Sequence, residues 1–263
     1  MQLSANLNIM INAARKAGRS LVKDFREVEN LQVSSKSAGD FVSRADIASE
    51  KIIREMLMDA RPNYGWLGEE SDPVEGKDPT RRWIVDPLDG TTNFLHGLPH
   101  WAVSIALEFK GEIVAAVVYD PAKDELYFAE KGLGCFMNDR RMRVSNRAVM
   151  TECIFATGIP YATKKTLPAM LHDLAQLMPV SAGVRRWGSA ALDLAYVAAG
   201  RYDGFWEREV HPWDIAAGML LVREAGGFVA PIRPDTNILE RGEIIAANSA
   251  IFDSLTTVLR SRP

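Results

Sequence analysis

The amino-acid sequence predicts a protein of mixed α/β class organised as two lobes, residues 1–145 and residues 146–263. Three observations support this prediction. An apolar stripe with helical spacing opens the chain, a block of strand-like runs lies between residues 81 and 130, and strand-like and helix-like segments alternate after about residue 145. The length of 263 residues is enough to bury a substantial core, and 47% hydrophobic and 25% charged residues are ordinary values for a folded protein.

The N-terminal part is predicted to form two helices. Apolar residues recur at alternating four- and three-residue steps from Leu3 to Phe25, which places them on one face of a helix. Residues 34–43 are polar and contain glycine, so they are predicted to form a loop. A second helix is predicted to follow Asp46 and to end before the turn at Pro62-Asn63.

The middle of the chain is predicted to form neighbouring, largely antiparallel strands. Four short runs are rich in β-branched and aromatic residues and are separated by turn-forming residues. These runs are residues 81–86, 101–109, 112–120 and 125–130.

The C-terminal part is predicted to alternate between strands and helices. Strands are predicted at residues 153–158, 183–188, 203–208 and 243–249, and helices at residues 166–178, 189–200, 213–227 and 250–260. Ser189 is a suitable N-cap for the second of these helices, and Gly200 is a suitable end.

Composition excludes several classes of function. A formal net charge of -3 argues against a general nucleic-acid binder, which usually has a basic surplus. Cys135 and Cys153 have neither metal-ligand spacing nor a disulfide framework, so we expect free thiols in a reducing cytoplasm. No apolar run approaches the ~18 residues needed to span a bilayer. The protein is therefore expected to be cytoplasmic, with no membrane partner.

The stretch IVDPLDGTTNF, from Ile84 to Phe94, carries the clearest chemical signal. The proline after Asp86 turns the chain out of its strand, which can bring Asp89 back beside Asp86 together with the carbonyl of Leu88. Carboxylates and carbonyls are hard oxygen ligands suited to Mg²⁺ or Mn²⁺. The backbone N–H groups of the glycine turn that follows could bind a phosphate. The alternative interpretation is an ordinary turn, because Asp, Pro, Gly and Asn are also the residues that turns use.

Three motifs together extend this interpretation. WLGEES, WIVDPLDGTTNF and HPWDIAAG follow one another along the chain, and with them the sequence resembles the inositol monophosphatase family of Mg²⁺-dependent, lithium-sensitive sugar phosphatases. The resemblance covers nearly the whole chain. It implies a layered α-β-α-β-α sandwich of the sugar-phosphatase type, a homodimer, and hydrolysis of a phosphomonoester, above all myo-inositol monophosphate.

The resemblance also implies a set of metal ligands. One Mg²⁺ is expected on Glu69, Asp86 and the Leu88 carbonyl, and a second on Asp86, Asp89 and Asp214. Glu69 is further implied in contacting a third, loosely held ion. Mn²⁺ is a possible substitute. The N-terminal lobe would thus hold the metal and phosphate site, and the C-terminal lobe would add one metal ligand.

The remaining site residues follow from the same resemblance. Glu69 and Thr91 are implied in positioning the attacking water, with Asp46 accepting the hydrogen bond of the Thr91 hydroxyl. The backbone N–H groups of Gly90 and Thr91 would hold the phosphate. The substrate-binding set as a whole would comprise Asp89, Gly90, Thr91, Gly188, Ser189, Ala190 and Glu207.

Other functions stay open on the sequence alone. Within the same chemistry, the substrate could be fructose-1,6-bisphosphate, 3'-phosphoadenosine 5'-phosphate or histidinol phosphate. In a different class, bacterial proteins similar to this one also associate with the transcription machinery and RNA, a role that does not need catalysis. Arg208 follows Glu207 where several relatives carry an uncharged residue, which raises the question of substrate preference, and Lys36 is assigned no role.

Overall fold

The computed structural model describes residues 3–27, 33–37, 40–159 and 166–261. The helices are α1 (Ala5–Phe25), α2 (Arg44–Ala60), α3 (Thr91–Leu95), α4 (Leu167–Leu177), α5 (Ala190–Ala198), α6 (Pro212–Glu224), α7 (Ile238–Arg241) and α8 (Phe252–Arg260). In the N-terminal part the strands are β1 (Val33–Ser37), β2 (Asp40–Ser43), β3 (Gly65–Gly68), β4 (Arg81–Asp89), β5 (Ala102–Phe109), β6 (Glu112–Asp120), β7 (Glu125–Glu130), β8 (Gly134–Met137) and β9 (Arg140–Arg141). They are followed by β10 (Ile154–Thr157), β11 (Gly183–Arg185), β12 (Gly204–Arg208), β13 (Phe228–Ala230) and β14 (Glu243–Ala247).

The apolar stripe at the N-terminus forms α1, as predicted. The Ser4 hydroxyl caps the helix by accepting a hydrogen bond from the N–H of Leu7 at 3.1 Å. The buried side of α1 includes Leu7, Met10, Ala14 and Leu21, and it packs against α2 and against strands β5 and β6. The two helices therefore cover one face of a sheet.

That sheet has seven strands in the order β3-β4-β5-β6-β7-β8-β9 among the described residues. The strand β3 runs parallel to β4, and every later pair is antiparallel. Short turns join the consecutive strands from β5 to β9, whereas residues 90–101, which include α3, join β4 to β5. The antiparallel pairing from β4 to β7 agrees with the sequence prediction.

A second sheet has the order β11-β10-β12-β14-β13. The strands β11, β10 and β12 are parallel, whereas β14 runs antiparallel to both of its neighbours. The helices that follow in the chain connect these strands across the faces of the sheet, which is the usual route for parallel pairing.

The layers stack as α-β-α-β-α, in agreement with the prediction. Helices α1 and α2 cover the outer face of the seven-stranded sheet, α5 and α6 lie between the sheets, and α4 and α8 cover the outer face of the second sheet. Helix α6 contacts strands of both sheets. The division into two lobes near residue 145 stays a prediction, because α6 shares its buried surface with both.

Several local predictions were wrong. Residues 34–43 do not form a simple loop, because β1 and β2 pair as antiparallel strands. Helix α2 begins at Arg44, so Asp46 lies within its first turn. The strand predicted at 183–188 ends at Arg185, and the predicted range includes Gly188, which has the left-handed conformation with φ of 83°. The short elements β3, β8, β9, β13 and α7 were not predicted.

In the described part of the chain, no helix combines the length and the apolar character that crossing a membrane requires. Lys36 lies in β1, and its side chain falls outside the described residues.

Candidate active site

The Asp-Pro-Leu-Asp turn is a bulge at the end of β4. Asp86 pairs with Ser104 and Asp89 with Ala102, so two residues of β4 face a single residue of β5. Pro87 sits where the pairing is interrupted and where an N–H is not needed. The Asp86 carboxylate accepts a hydrogen bond from the N–H of Leu88 at 2.9 Å. The bulge therefore fixes the spacing of the two carboxylates.

Glu69 and Asp214 reach this turn from other elements. Glu69 follows β3 and donates its N–H to the carbonyl of Val85 at 3.2 Å, so the parallel pairing places it beside the end of β4. Asp214 lies in the first turn of α6, where it accepts the N–H of His211 at 2.7 Å. The charges of these residues act on Asp86, which is buried.

Burial raises the pKa of Asp86 well above its usual range, and the negative charges of Glu69, Asp89, Asp214 and Asp46 raise it further. Burial also raises the pKa of Asp214, with a further contribution from Asp89. Across the described residues, no three acidic, histidine or cysteine side chains lie together in a group that could hold a metal ion. Because like charges repel, a tight ligand set of carboxylates needs a cation to hold it together.

One oxygen of each aspartate is held by hydrogen bonding to the protein. The hydrogen bond from Leu88 fixes Asp86, that from His211 fixes Asp214, and Asp89 accepts from the Ser189 hydroxyl at 2.6 Å. A carboxylate has a second oxygen, which such an arrangement orients for a ligand. The donor set of carboxylates and a carbonyl suits a hard divalent cation.

Thr91 and Asp46 meet as predicted. The Thr91 hydroxyl lies 3.2 Å from a carboxylate oxygen of Asp46 and 3.1 Å from the carbonyl oxygen of Leu88. Asp46 is buried in the first turn of α2. Since a hydroxyl carries a single proton, it can donate to either acceptor and keeps lone pairs for a water molecule.

Gly90 permits a close approach of three backbone segments. Its φ is 100°, and a Cβ atom there would lie 3.0 Å from the carbonyl oxygen of His100 and 3.3 Å from that of Gly188. The turn then enters the five-residue helix α3 at Thr91. The side-chain amide of Asn93 donates to the carbonyls of His100 at 2.8 Å and Trp187 at 2.7 Å, and so ties this turn to the Gly188 segment.

The N-terminus of α5 lies against Asp89. Besides the Ser189 hydroxyl, the N–H of Ala191 donates to the same Asp89 oxygen at 2.7 Å. Ser189 also caps α5 through the N–H of Leu192, as predicted. Sequence reasoning had named Ala190 and missed Ala191, although a capped helix start always offers several N–H groups.

Glu207 lies at the end of β12 above Gly158. A Cβ atom at position 158 would come within 1.6 Å of a Glu207 carboxylate oxygen, so only glycine leaves room for the side chain. Burial raises the pKa of Glu207 to about 8, the charge of Asp89 contributes to this, and Arg186 lowers it. The buried Asp193 on α5 feels the charges of Glu207 and Asp89 in turn.

The residues that the sequence predicted for the site lie on or beside seven elements, α2, β3, β4, α3, α5, β12 and α6. Hydrogen bonds join Thr91 to Asp46 and Ser189 to Asp89. Gly158, Arg186, Ala191 and Asp193 were missed, because nothing in their local sequence distinguishes them. Arg208 points the other way. Its guanidinium binds Asp173 of α4 at 2.8 and 3.1 Å, so it does not line the substrate side of β12.

Comparison with known proteins agrees with the fold. The sequence model of the Inositol monophosphatase family matches residues 2–262. An Inositol-1-monophosphatase from Rhizobium meliloti is 55% identical over 260 residues, which cover 99% of this chain and 98% of that protein. A protein named Nus factor SuhB from Pasteurella multocida is 46% identical and covers 95% of this chain and 93% of its own length.

Among solved structures, the extragenic suppressor protein suhB from Bartonella henselae superposes with a TM-score of 0.95 at 53% identity. The match covers 99% of this chain and all of the other. Fold and site together define a phosphatase. More specifically, the chain belongs to the inositol monophosphatase family, whose members generally use divalent metal ions.

Proposed function

We propose that the protein hydrolyses a phosphomonoester of a polyol, myo-inositol monophosphate in particular, and that it requires Mg²⁺. The observation that supports this best is the convergence of Glu69, Asp86, Asp89 and Asp214 beside the glycine turn at Gly90. The names of the most similar relatives favour inositol monophosphate over the other phosphate esters that the sequence left open.

The proposed metal ligands fall into two sets that share Asp86. Glu69 and the Leu88 carbonyl complete one set, and Asp89 and Asp214 complete the other. Glu69 would also contact a third, weaker ion, and Mn²⁺ would substitute for Mg²⁺. Bound divalent ions would offset the carboxylate charge and stabilise both the entering and the leaving oxygen of an in-line displacement.

The chain's own groups would organise the rest of the reaction. The Thr91 hydroxyl, held by Asp46 and Leu88, orients the attacking water together with Glu69 and can pass a proton towards Asp46. The backbone N–H groups of Gly90 and Thr91 would hold the phosphate.

The alcohol half of the substrate would lie between α5 and the end of β12. Asp89, the Ser189 hydroxyl and the backbone from Gly188 to Ala190 form one side, and the Glu207 carboxylate forms the other. A carboxylate accepts two hydrogen bonds and therefore suits vicinal hydroxyl groups.

Phosphate release from myo-inositol 1-phosphate tests the proposal. We expect release by the wild type with Mg²⁺, inhibition by lithium, and loss of at least about a hundredfold in kcat for Asp89→Asn, which removes the negative charge of a proposed metal ligand. A wild type that binds metal but releases no phosphate from any ester in a panel of the four candidate substrates would exclude the enzymatic proposal. Resistance to lithium alone would argue only against close kinship with the inositol enzymes.

A second candidate function is association with the transcription machinery. The relatives named Nus factor SuhB are 43–46% identical to this chain, which favours it. Such a role predicts that Asp89→Asn still co-purifies with transcription proteins from the native host. The chain is proposed to act in the cytoplasm in either case.

We also propose a homodimer. Leu98 and Trp187 are 53% and 48% exposed, and the backbone of each is hydrogen-bonded to Asn93, so two exposed apolar residues flank the same segment. Light scattering is expected to give twice the chain mass of 29.1 kDa. The change Trp187→Ser should shift the mass towards one chain, whereas Trp187→Phe should not.

A further inference from the structure

The two faces of β12 serve different parts of the molecule. Side chains alternate along a strand, so Phe205 and Glu207 share one face while Trp206 and Arg208 share the other. Phe205 packs with α5 and α6 between the sheets, and Trp206 packs with Leu177 of α4 and Leu259 of α8. Arg208 therefore continues the outer face directly beside the proposed substrate ligand.

Arg208 is held by a two-pronged ion pair. Its Nε lies 2.8 Å and its Nη2 3.1 Å from the two carboxylate oxygens of Asp173, and the Leu259 carbonyl is 3.5 Å from Nη2. The side chains of Arg208 and Asp173 are 11% and 2% exposed. A buried ion pair adds little net stability over an apolar pair, but a bidentate fork permits only one relative placement of its partners. The ion pair therefore fixes the position of β12 relative to α4 more than it stabilises the fold.

The inner face of β12 needs such a fixed position. The Thr157 hydroxyl donates to the Trp206 carbonyl at 2.7 Å, which aligns the ends of β10 and β12. The Glu207 carboxylate then lies over Gly158 with no room for even a methyl group. Beyond Arg208 the chain turns at Glu209 in the left-handed conformation, φ 62°, where the Thr166 hydroxyl donates to Glu209 at 2.8 Å. Both neighbours of Arg208 thus depend on where the strand end lies.

We infer that the Arg208–Asp173 ion pair is a positioning device that fixes the end of β12 against α4 so that Glu207 can receive the hydroxyl groups of the substrate. This inference rests on the proposed function. Arg208 would act through Glu207 and would not itself contact substrate. It would thereby influence substrate preference from the opposite face of the strand.

The test compares a substrate that uses Glu207 with one that does not. The double variant Arg208→Met/Asp173→Leu replaces the pair by apolar side chains and leaves no unpaired buried charge. We expect kcat/KM for myo-inositol 1-phosphate to fall about tenfold, mainly through KM, as for the loss of a hydrogen bond to a charged group. For 4-nitrophenyl phosphate, which has no vicinal hydroxyls, we expect a change below about twofold.

Two controls separate positioning from general stability. The variant Arg201→Met/Glu125→Leu removes another bidentate ion pair, away from the proposed site, and should leave the ratio between the two substrates unchanged. In a Glu207→Gln background, removal of the Arg208–Asp173 pair should cause no further selective loss, because the two changes act on the same interaction. The single change Arg208→Lys, which keeps the charge without the fork, should give an intermediate ratio.

Three outcomes would each overturn the inference. The double variant could lose kcat/KM equally on both substrates, it could lose none, or its selective loss could multiply with that of Glu207→Gln. Should the wild type hydrolyse neither ester, the proposed function fails instead. A crystal structure of the double variant then still decides the positioning role, since Glu207 must leave its place over Gly158. An unmoved Glu207 would refute it.

Discussion

At the scale of single residues, the candidate site depends on positions without reactive groups. Gly158 makes room for Glu207, and Gly90 lets the phosphate turn pass close to the backbone of His100 and Gly188. The sequence drew attention to Gly90 but not to Gly158, and each glycine determines where a neighbouring group can lie. A larger residue at either position would place a side chain in space that other atoms occupy, which is destabilising in a closely packed interior.

The change Gly158→Ala is therefore expected to displace Glu207. Its methyl group would occupy the space of the carboxylate, and we expect KM for myo-inositol 1-phosphate to rise about tenfold, with a much smaller effect on 4-nitrophenyl phosphate. Steady-state kinetics on both esters measures this. Gly226→Ala, where φ is 86° and the space is open, serves as a control for a destabilising glycine substitution that displaces no side chain. An unchanged KM would show that Glu207 does not bind substrate.

His100 makes the stability of the protein sensitive to acid. Its ring is buried against Trp187 and Tyr196, and neither ring nitrogen has a hydrogen-bond partner among the described residues. Burial lowers its pKa from 6.5 to about 4, and the Lys123 charge adds to this. Between pH 6.5 and 4, His100 is therefore protonated in the unfolded chain but stays neutral in the folded chain. The free energy of unfolding consequently decreases as the pH falls from 6.5 towards 4.

This loss is expected to reach about 3 kcal/mol in the free energy of unfolding. Urea unfolding of the wild type and of His100→Phe at several pH values measures it, and the variant should lose less stability than the wild type across that window. Parallel pH profiles for the two proteins would contradict the assignment. The comparison between wild type and His100→Phe is needed because the raised pKa of Asp86 makes the free energy of unfolding increase as the pH falls, opposite to the effect of His100.

At the scale of elements, the bulge at the end of β4 and the start of α5 are joined through Asp89. A helix start leaves backbone N–H groups without partners inside the helix, and here the Asp89 carboxylate accepts from one of them, the N–H of Ala191, and from the Ser189 hydroxyl. The same contact orients a proposed metal ligand. The contact between Asp89 and the start of α5 therefore stabilises the fold and orients a site residue at the same time.

Two serine N-caps allow the contribution of the cap to folding to be separated from its contribution to metal binding. Ser189→Ala and Ser4→Ala each remove a cap, so each is expected to lower the free energy of unfolding by about 1 kcal/mol. Only Ser189 also donates to Asp89, so only its loss should weaken Mg²⁺ binding, by about three- to tenfold. Calorimetric titration with Mg²⁺ measures the difference. Equal Mg²⁺ affinities for the two variants would contradict the role of the Ser189–Asp89 hydrogen bond.

At the scale of the whole molecule, the candidate site lies where layers meet. The seven-stranded sheet supplies the bulge, the central helix layer supplies Asp214 and Ser189, and the second sheet supplies Glu207. Burial raises the pKa values of Asp86 and Asp214 at this junction, and repulsion from the neighbouring acidic residues raises them further. Protons and divalent cations are therefore expected to compete for the same carboxylates, because either would reduce their mutual repulsion.

Mg²⁺ is accordingly expected to stabilise the molecule more at high pH than at low pH. A raised pKa in the folded state contributes stability at low pH that is lost as the pH rises, so the metal has more repulsion to offset at pH 8 than at pH 6. With saturating Mg²⁺ we expect a rise in Tm of about 5 °C at pH 8 and clearly less at pH 6. Thermal scans with EDTA or Mg²⁺ at constant ionic strength measure this. An equal or larger rise at pH 6 would contradict it.

The sequence by itself determined the class of fold, most of the longer elements and the identity of the acidic residues. The apolar stripe of α1 and the strand-like runs from residue 81 to 130 are local patterns, and local periodicity is sufficient to predict them. The motifs around Glu69, Asp86 and Asp214 likewise carry their chemistry in a few adjacent letters.

Only the tertiary structure decided how these residues meet. Gly158, Asn93 and Arg208 gain their roles from contacts with residues 49, 94 and 35 positions away. The direction of Arg208 follows from the alternation of β12 and from the helix that covers its outer face. Such partners are chosen by the packing of layers, and packing joins segments whose separation no local pattern encodes.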